Sequence, residues 1–342
     1  MAKRKGSYTI LFDDPPGVRA SASVGSKMEA EGPLGESFDV INEDAYFGES
    51  TWEKAESRMQ ETVIQKALEK AKLSPAEIDA VFAGDLLNQC TGSTYGLRSL
   101  GMPFVGLFGA CSTMAESLLV ASVFLEAGAI GRAVTCTSSH FCSAERQFRF
   151  PLEYGGQRTP TAQWTATAAG AAVLERGEVG PFVRAATIGT IEDLGVTDAN
   201  NMGAAMAPAA AATLKRFFDD TGAGPGDFDL VITGDLGKVG FNLLRELLRR
   251  DGYDLEHHQA DCGLMLYDAE KQDVHAGGSG CGCSASVMCG HILPLLREGR
   301  LNDVLFVATG ALMSPTVVQQ GESIASIAHL IHLSSRKKGG NR

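Results

Sequence analysis

The feature that most constrains this chain is an internal duplication. Ile78-Asp79-Ala80-Val81-Phe82-Ala83-Gly84-Asp85-Leu86 and Phe228-Asp229-Leu230-Val231-Ile232-Thr233-Gly234-Asp235-Leu236 share Asp, Val and Gly-Asp-Leu in register. Each reads as a short buried strand ending at a glycine turn. Gly109-Ala110-Cys111-Ser112 opens an apolar stretch to Ile130, and Gly282-Cys283-Ser284 opens one to Leu296, each read as a helix followed by an apolar strand, Ala133 to Thr137 and Val304 to Thr309. A helix is expected before each copy: Thr51 to Lys72, with Ala55, Met59, Val63, Ala67 and Ala71 on one stripe, and Met206 to Asp219. Strands alternating with helices predict α/β architecture with parallel sheets, and the repetition predicts two similar halves. Their expected extents are residues 1–178 and 179–342, with the junction near Gly177 to Pro181.

The helices opening at Cys111 and Cys283 are apolar nearly all round, which places them between layers rather than on the surface. A ligand cleft would then lie over their N-termini, where unpaired N–H groups and the helix dipole favour an anion. With 342 residues, 44% of them apolar, the chain can build so large a core. Its 41 acidic against 30 basic residues leave a net charge of −11, which excludes the basic footprint of a nucleic-acid binder. The best apolar run, Leu118 to Leu125, is cut by Glu126, so no membrane span is expected. The basic start Lys3-Arg4-Lys5 lacks the apolar region of a signal peptide. Like the basic close Arg336, Lys337, Lys338 and Arg342, it reads first as a solvated terminus and second as a contact for anionic lipid.

Eight cysteines without an export signal fit a reducing compartment. Cys281, Cys283, Cys289 and His291 lack the spacing of a structural zinc site, and no metal is assigned. Gly234 to Lys238 has Val239 where a phosphate loop needs Ser or Thr, and Gly277 to Gly282 does not give the dinucleotide glycine pattern; no cofactor is expected. Cys111, after a glycine turn at a helix mouth, is where a thiol is activated for acyl transfer, against the plainer reading of an inert core cysteine.

Gly109-Ala110-Cys111-Ser112, Ala169-Gly170-Ala171-Ala172-Val173-Leu174, Gly280-Cys281-Gly282-Cys283-Ser284-Ala285-Ser286-Val287 and Thr309-Gly310-Ala311 fall in the order seen in the thiolase and type III ketoacyl synthase superfamily, which the chain resembles over nearly its whole length. Within it, Phe38 to Trp52, Gly84 to Gln89, Thr135 to Phe141, Pro160 to Thr165 and Gly310 to Pro315 most resemble the stage V sporulation AD family. The resemblance implies a thiolase-like, duplicated αβαβα fold in five layers and a homodimer. The synthases pair their cysteine with a histidine and an asparagine or second histidine; aligning the motifs puts Gly234 and Cys281 at those places. With both proton-handling partners gone, the resemblance implies no enzyme, and Cys111, Gly234 and Cys281 read as a degenerate catalytic set.

What it implies instead is a protein that binds dipicolinic acid, free or as the calcium chelate, during uptake into the developing spore. It would be cytoplasmic or peripheral at the spore inner membrane and would work with other stage V sporulation A membrane proteins. The runner-up is an acyltransferase using Cys111 with His140. The residues assigned to the ligand are Cys111 and Ser112 at the helix mouth, Asn88, His140, Phe141, Gln163, Asp235, Cys281, Gly310, Met313 and His329. Phe141 or Met313 would supply a flat wall, and the N–H and hydroxyl groups of Cys111, Ser112 and Gly280 to Ser284 the donors. Arg149 and Arg158 are weaker candidates for a carboxylate partner, and Trp164 for a cleft wall. Asp85 and Asp235, kept in both copies, read first as turn or helix caps. His257, His258, His329 and His332 read as exposed or core histidines.

Overall fold

The computed structural model describes residues 2–148 and 156–337; Arg149, Lys338 and Arg342 lie outside them. Ten strands form one continuous path: β1 (Gly17–Ser26), β2 (Ala80–Gly84), β3 (Phe104–Gly106), β4 (Arg132–Ser139), β5 (Ala168–Glu175), β6 (Phe182–Thr187), β7 (Leu230–Thr233), β8 (Gln259–Asp261), β9 (Asp303–Ala311) and β10 (Ser326–Ser334). Their order is β3-β2-β4-β5-β1-β6-β10-β9-β7-β8. From either end the path reads alike: three parallel strands, then two that run antiparallel. In the middle, β1 meets β6 through the single pair Gly17 and Phe182. The duplication of the sequence is thus repeated in the topology.

Seven helices matter for the site: α1 (Trp52–Ala71), α2 (Thr91–Leu97), α3 (Thr113–Glu126), α4 (Phe141–Phe148), α5 (Met202–Thr221), α6 (Gly237–Arg250) and α7 (Cys281–Val287). The Thr51 hydroxyl caps α1 by accepting from Lys54 N–H. The stripe Ala55, Met59, Val63 and Ala67 packs on one face of the first sheet with Val134, Ala171 and Val173. Met206, Ala210 and Leu214 of α5 cover the second sheet with Val231, Leu305 and Leu330. Between the sheets lie α3 and α7, where Met114, Leu118, Leu125 and Ala285 meet Phe82, Leu174, Phe306 and Ile331. Each of the larger side chains, alanine excepted, contributes about 1.5–3 kcal/mol when fully buried. The result is the five-layered, duplicated thiolase-like arrangement.

The expected all-parallel sheets are corrected by β1, β5, β6 and β10, which run antiparallel to their neighbours. Being covered on both faces, β1 and β5 carry small residues, Gly-Val-Arg-Ala-Ser-Ala-Ser-Val-Gly-Ser and Ala-Ala-Gly-Ala-Ala-Val-Leu-Glu, which show neither an alternating nor a bulky apolar signal. Helix ends also move. The first buried helix starts at Thr113, leaving Cys111 on the turn before it. The second starts at Cys281 and passes through a π-helical turn, Met288–Ile292, before Leu293–Arg297. Pro294, which has no N–H to donate, sits where ordinary helical register resumes. The helix expected from Met206 to Asp219 extends over Met202–Thr221. No helix among the described residues is long and apolar enough to cross a membrane.

Candidate functional site

The turn that presents Cys111 is fixed by its own hydroxyls. Ala110 takes a left-handed φ of 51°, the Ser112 hydroxyl donates to Gly109 O at 2.7 Å, the Thr113 hydroxyl donates to Ala110 O at 2.7 Å, and Gly109 N–H donates to the Thr113 oxygen at 3.0 Å. Strand β9 lies directly on this turn. A side-chain carbon at Gly310 would stand 2.0 Å from Gly109 O and 3.1 Å from Ser112 N, so only glycine fits. Both residues were expected at the ligand; instead Ser112 is fully buried with its hydroxyl committed, and Gly310 is the seat of the turn.

Cys111 opens on a small cavity of about 60 Å3. Leu86, Phe148, Met202, Met206 and Met313 supply its apolar wall, and Cys111, Thr165 and Ser279 its polar side chains. Among the described residues, no lysine, arginine or histidine lines it. The Thr165 hydroxyl donates to Glu145 Oε1 at 3.0 Å, and the Ser279 hydroxyl to Asp235 Oδ2 at 3.1 Å, so both present lone pairs to the cavity.

Asp235 is the partner of the thiol. Fully buried, it accepts from Gly280 N–H at 2.8 Å, from the Ser279 and Thr309 hydroxyls and from the Cys111 S–H. Burial raises its carboxyl above the usual carboxylate range, opposed by those donors. Burial, and next the Asp235 charge, push the Cys111 thiol well up. An acid beside a thiol suppresses the thiolate, the reverse of what a nucleophile needs. Gly234 points elsewhere: a side-chain carbon there would meet Ala308 and Ser284 in the middle layer at 3.2 and 3.4 Å. The side chain that the second duplicated strand sends to Cys111 is therefore that of Asp235, one residue beyond the glycine given by motif alignment.

The cap expected of Asp235 is made by Asp261, which accepts from Leu236 N–H at 2.8 Å and Gly237 N–H at 3.2 Å. Asp85 does serve its turn, accepting from Leu87 N–H at 2.9 Å and Ser93 N–H at 2.8 Å. The two copies of the aspartate thus do different work.

Other expected residues fall outside the cavity lining. His140 is fully buried, its Nε2 2.8 Å from Ala45 O and its Nδ1 accepting from Cys142 N–H at 3.2 Å. With both ring nitrogens tied to backbone it is a neutral structural histidine, and burial lowers its pKa. Cys281 packs with Leu86, Cys111 and Ala144 but donates to Ser138 O at 2.9 Å. Gln163 Nε2 donates to Asp235 O and Gly278 O, both at 2.7 Å, and holds the loop behind the site. Phe141 stacks on Trp164 at 3.8 Å, and the Arg158 guanidinium lies 4.9 Å above that ring. Exposed Asn88 pairs with Gln147. On β10, burial takes His329 down to about 4, and its Nδ1 accepts from Gly189 N–H at 3.3 Å. The wall residues that motif reasoning missed, Phe148, Met202 and Met206, carried one signal: Met202 and Met206 are one helical turn apart, a spacing also shared by core residues.

The chain matches the family model for stage V sporulation protein AD over residues 6–334. It is 45% identical over 327 residues, 96% of each chain, to stage V sporulation protein AD of Bacillus subtilis strain 168. Among solved structures, 3-oxoacyl-[acyl-carrier-protein] synthase III of Aquifex aeolicus VF5 matches with a TM-score of 0.55 at 13% identity, covering 93% of this chain and 99% of that one. An OleA variant of Xanthomonas campestris matches at 0.60 and 14%, covering 95% and 99%. Those structural likenesses share the fold alone, whereas the sequence match over nearly the whole length places the chain in the stage V sporulation protein AD family.

Proposed function

We propose that the Cys111 cavity binds dipicolinic acid without covalent chemistry, and takes it as the calcium chelate. The observation that carries this reading is the pairing of a suppressed thiol with Asp235, in a cavity lined by no cationic side chain among the described residues. A free pyridine dicarboxylate carries two negative charges and would lie against a buried acid, whereas the calcium chelate is neutral overall. Its flat ring suits walls of Leu86, Phe148 and Met313, and calcium takes oxygen donors of the kind Thr165 and Ser279 present.

In this reading the protein receives the chelate during uptake into the developing spore, as a peripheral partner of other stage V sporulation A membrane proteins at the spore inner membrane. It acts as a homodimer. The edge strand β3 supports the last point: Phe104 and Val105 on it and Phe108 just beyond are exposed, and an apolar sheet edge left uncovered invites pairing with another chain. A second copy of β3 across a twofold axis would cover it.

Titration calorimetry with dipicolinate, in calcium and in excess chelator, tests the reading, with sedimentation of the same samples reporting the dimer. Saturable binding at least about tenfold tighter in calcium, a difference of about 1.4 kcal/mol, is expected. Equal or tighter binding of the free dianion contradicts the charge argument, and no binding in either condition contradicts the function.

A further inference from the structure

Beneath the cavity runs a buried polar chain that ligand binding does not explain. Glu56 of α1 and Asp85 after β2 are both fully buried, at 1% and 0% exposure. Gln60 stands between them, its Nε2 lying 2.8 Å from Ser138 Oγ and 2.9 Å from Ser93 Oγ. The Ser93 hydroxyl donates to Asp85 at 2.7 Å and the Ser138 hydroxyl to Glu56 Oε1 at 2.9 Å. Asp85 accepts in addition from Ser93 N–H and Leu87 N–H, the hydrogen-bond set of an ionised carboxylate.

Glu56 is different because of Ser143. The Ser143 oxygen lies 2.9 Å from Glu56 Oε2 and 3.1 Å from His140 O. A hydroxyl has one hydrogen, so it donates in full to one acceptor or shares a weaker bond between the two. Placing a proton on Glu56 Oε2 resolves the conflict: the carboxyl donates to Ser143, and Ser143 donates to His140 O at the start of α4. We propose that Glu56 is a neutral, proton-carrying side chain and that its proton, relayed through Ser143, sets the hydrogen bonding of the first turn of α4, the helix that walls the Cys111 cavity.

The consequence is a pH-responsive cavity wall. Helix α4 carries Ala144 and Phe148 onto the cavity, and Ser138, on the other arm of Glu56, offers its carbonyl to Cys281. When Glu56 ionises, the Ser143 hydrogen turns to the carboxylate, and His140 O keeps only Ala144 N–H from this turn. The charged groups facing Glu56 oppose ionisation, Asp85 across the network and Glu53 on its own helix both repelling the charge, against the Ser143 and Ser138 hydroxyls, which favour it. His140 is neutral, Cys281 donates to backbone, Glu145 accepts from Thr165, and half-exposed Arg146 pairs with Glu53 at the surface. Burial, followed by Asp85, raises the Glu56 carboxyl to about 8.

Glu56→Gln tests this, since an amide can donate to Ser143 and accept from Ser138 as the protonated acid does. Denaturant unfolding of wild type and variant across about pH 5 to 9 reads the proton by linkage. A raised folded-state pKa gives stability that is complete below the unfolded value of about 4.5 and is lost as pH rises to about 8. The wild-type folding constant is therefore expected to fall relative to the variant by up to about tenfold per pH unit in that window. Hydrogen exchange, corrected for intrinsic rates, is expected to show α4 losing protection above about pH 8 in wild type but not in the variant. A constant ratio of folding constants, or a variant less stable at every pH, overturns the proton on Glu56; equal α4 protection in both chains overturns its reach to the cavity. If the variant does not fold, carbon-13 spectra of labelled glutamate carboxyls in wild type decide. A resonance assigned to Glu56 that titrates near 8 supports the proposal, and a Glu56 resonance titrating below about 7.5 overturns it.

Discussion

Gly310→Ala is expected to abolish the cavity while leaving most of the fold intact. The added carbon would lie 2.0 Å from Gly109 O, far inside contact distance, and neither partner can yield cheaply. Gly310 is held by β9 between fixed neighbours, and Gly109 belongs to a turn locked by Ser112 and Thr113. Overpacking of this kind costs about 1–3 kcal/mol, and here the strain falls on the turn that carries Cys111. Thermal unfolding should show a loss in that range, and ligand affinity should fall by at least about a hundredfold, or about 2.7 kcal/mol. Cys111 alkylation should change with it, because the sulfur moves. A variant of wild-type stability and affinity would contradict the tight seat described for the turn.

The second large effect concerns Asp235→Asn. The amide has nearly the same shape but no charge, and its NH2 must face donors that now meet a carboxylate: Gly280 N–H and Ser279 on one oxygen, Thr309 on the other. A buried mismatch of this kind costs about 1–3 kcal/mol. The thiol responds in the opposite sense. The Asp235 charge is the largest cause after burial of the raised Cys111 pKa, and removing it lowers that pKa. At neutral pH the thiolate fraction, and with it the alkylation rate at Cys111, is expected to rise about tenfold for each unit by which the pKa falls. A chain at once less stable and more reactive at one cysteine is the combined signature. Unchanged alkylation would mean that Asp235 does not govern the thiol.

The fold was legible in the repeat because Gly-Asp-Leu after a buried strand and a glycine turn before a buried helix are local signals that survive without context. Strands β1 and β5 were not legible as antiparallel insertions, since burial on both faces selects Ala, Ser and Gly, which show no period. At the site, Cys111 and its turn were readable. The identity of the thiol's neighbour was not: motif alignment stopped at Gly234, and only the direction of the backbone after β7 shows that Asp235 faces the sulfur and Gly234 the core. His140, Phe141 and His329 carry side chains fit for binding, but hydrogen bonding and stacking with neighbours far along the chain engage them elsewhere. The proton on Glu56 lay beyond sequence reading altogether, because it follows from one hydroxyl placed between two acceptors.

The most direct test of a cavity that binds without reacting is the intact mass of the wild-type chain after incubation with a panel of acyl thioesters at neutral pH. With the thiol suppressed by burial and Asp235 and both His140 nitrogens tied to backbone, the account predicts an unchanged mass and no release of free thiol carrier. A stoichiometric acyl adduct mapped to Cys111, with turnover, would contradict it.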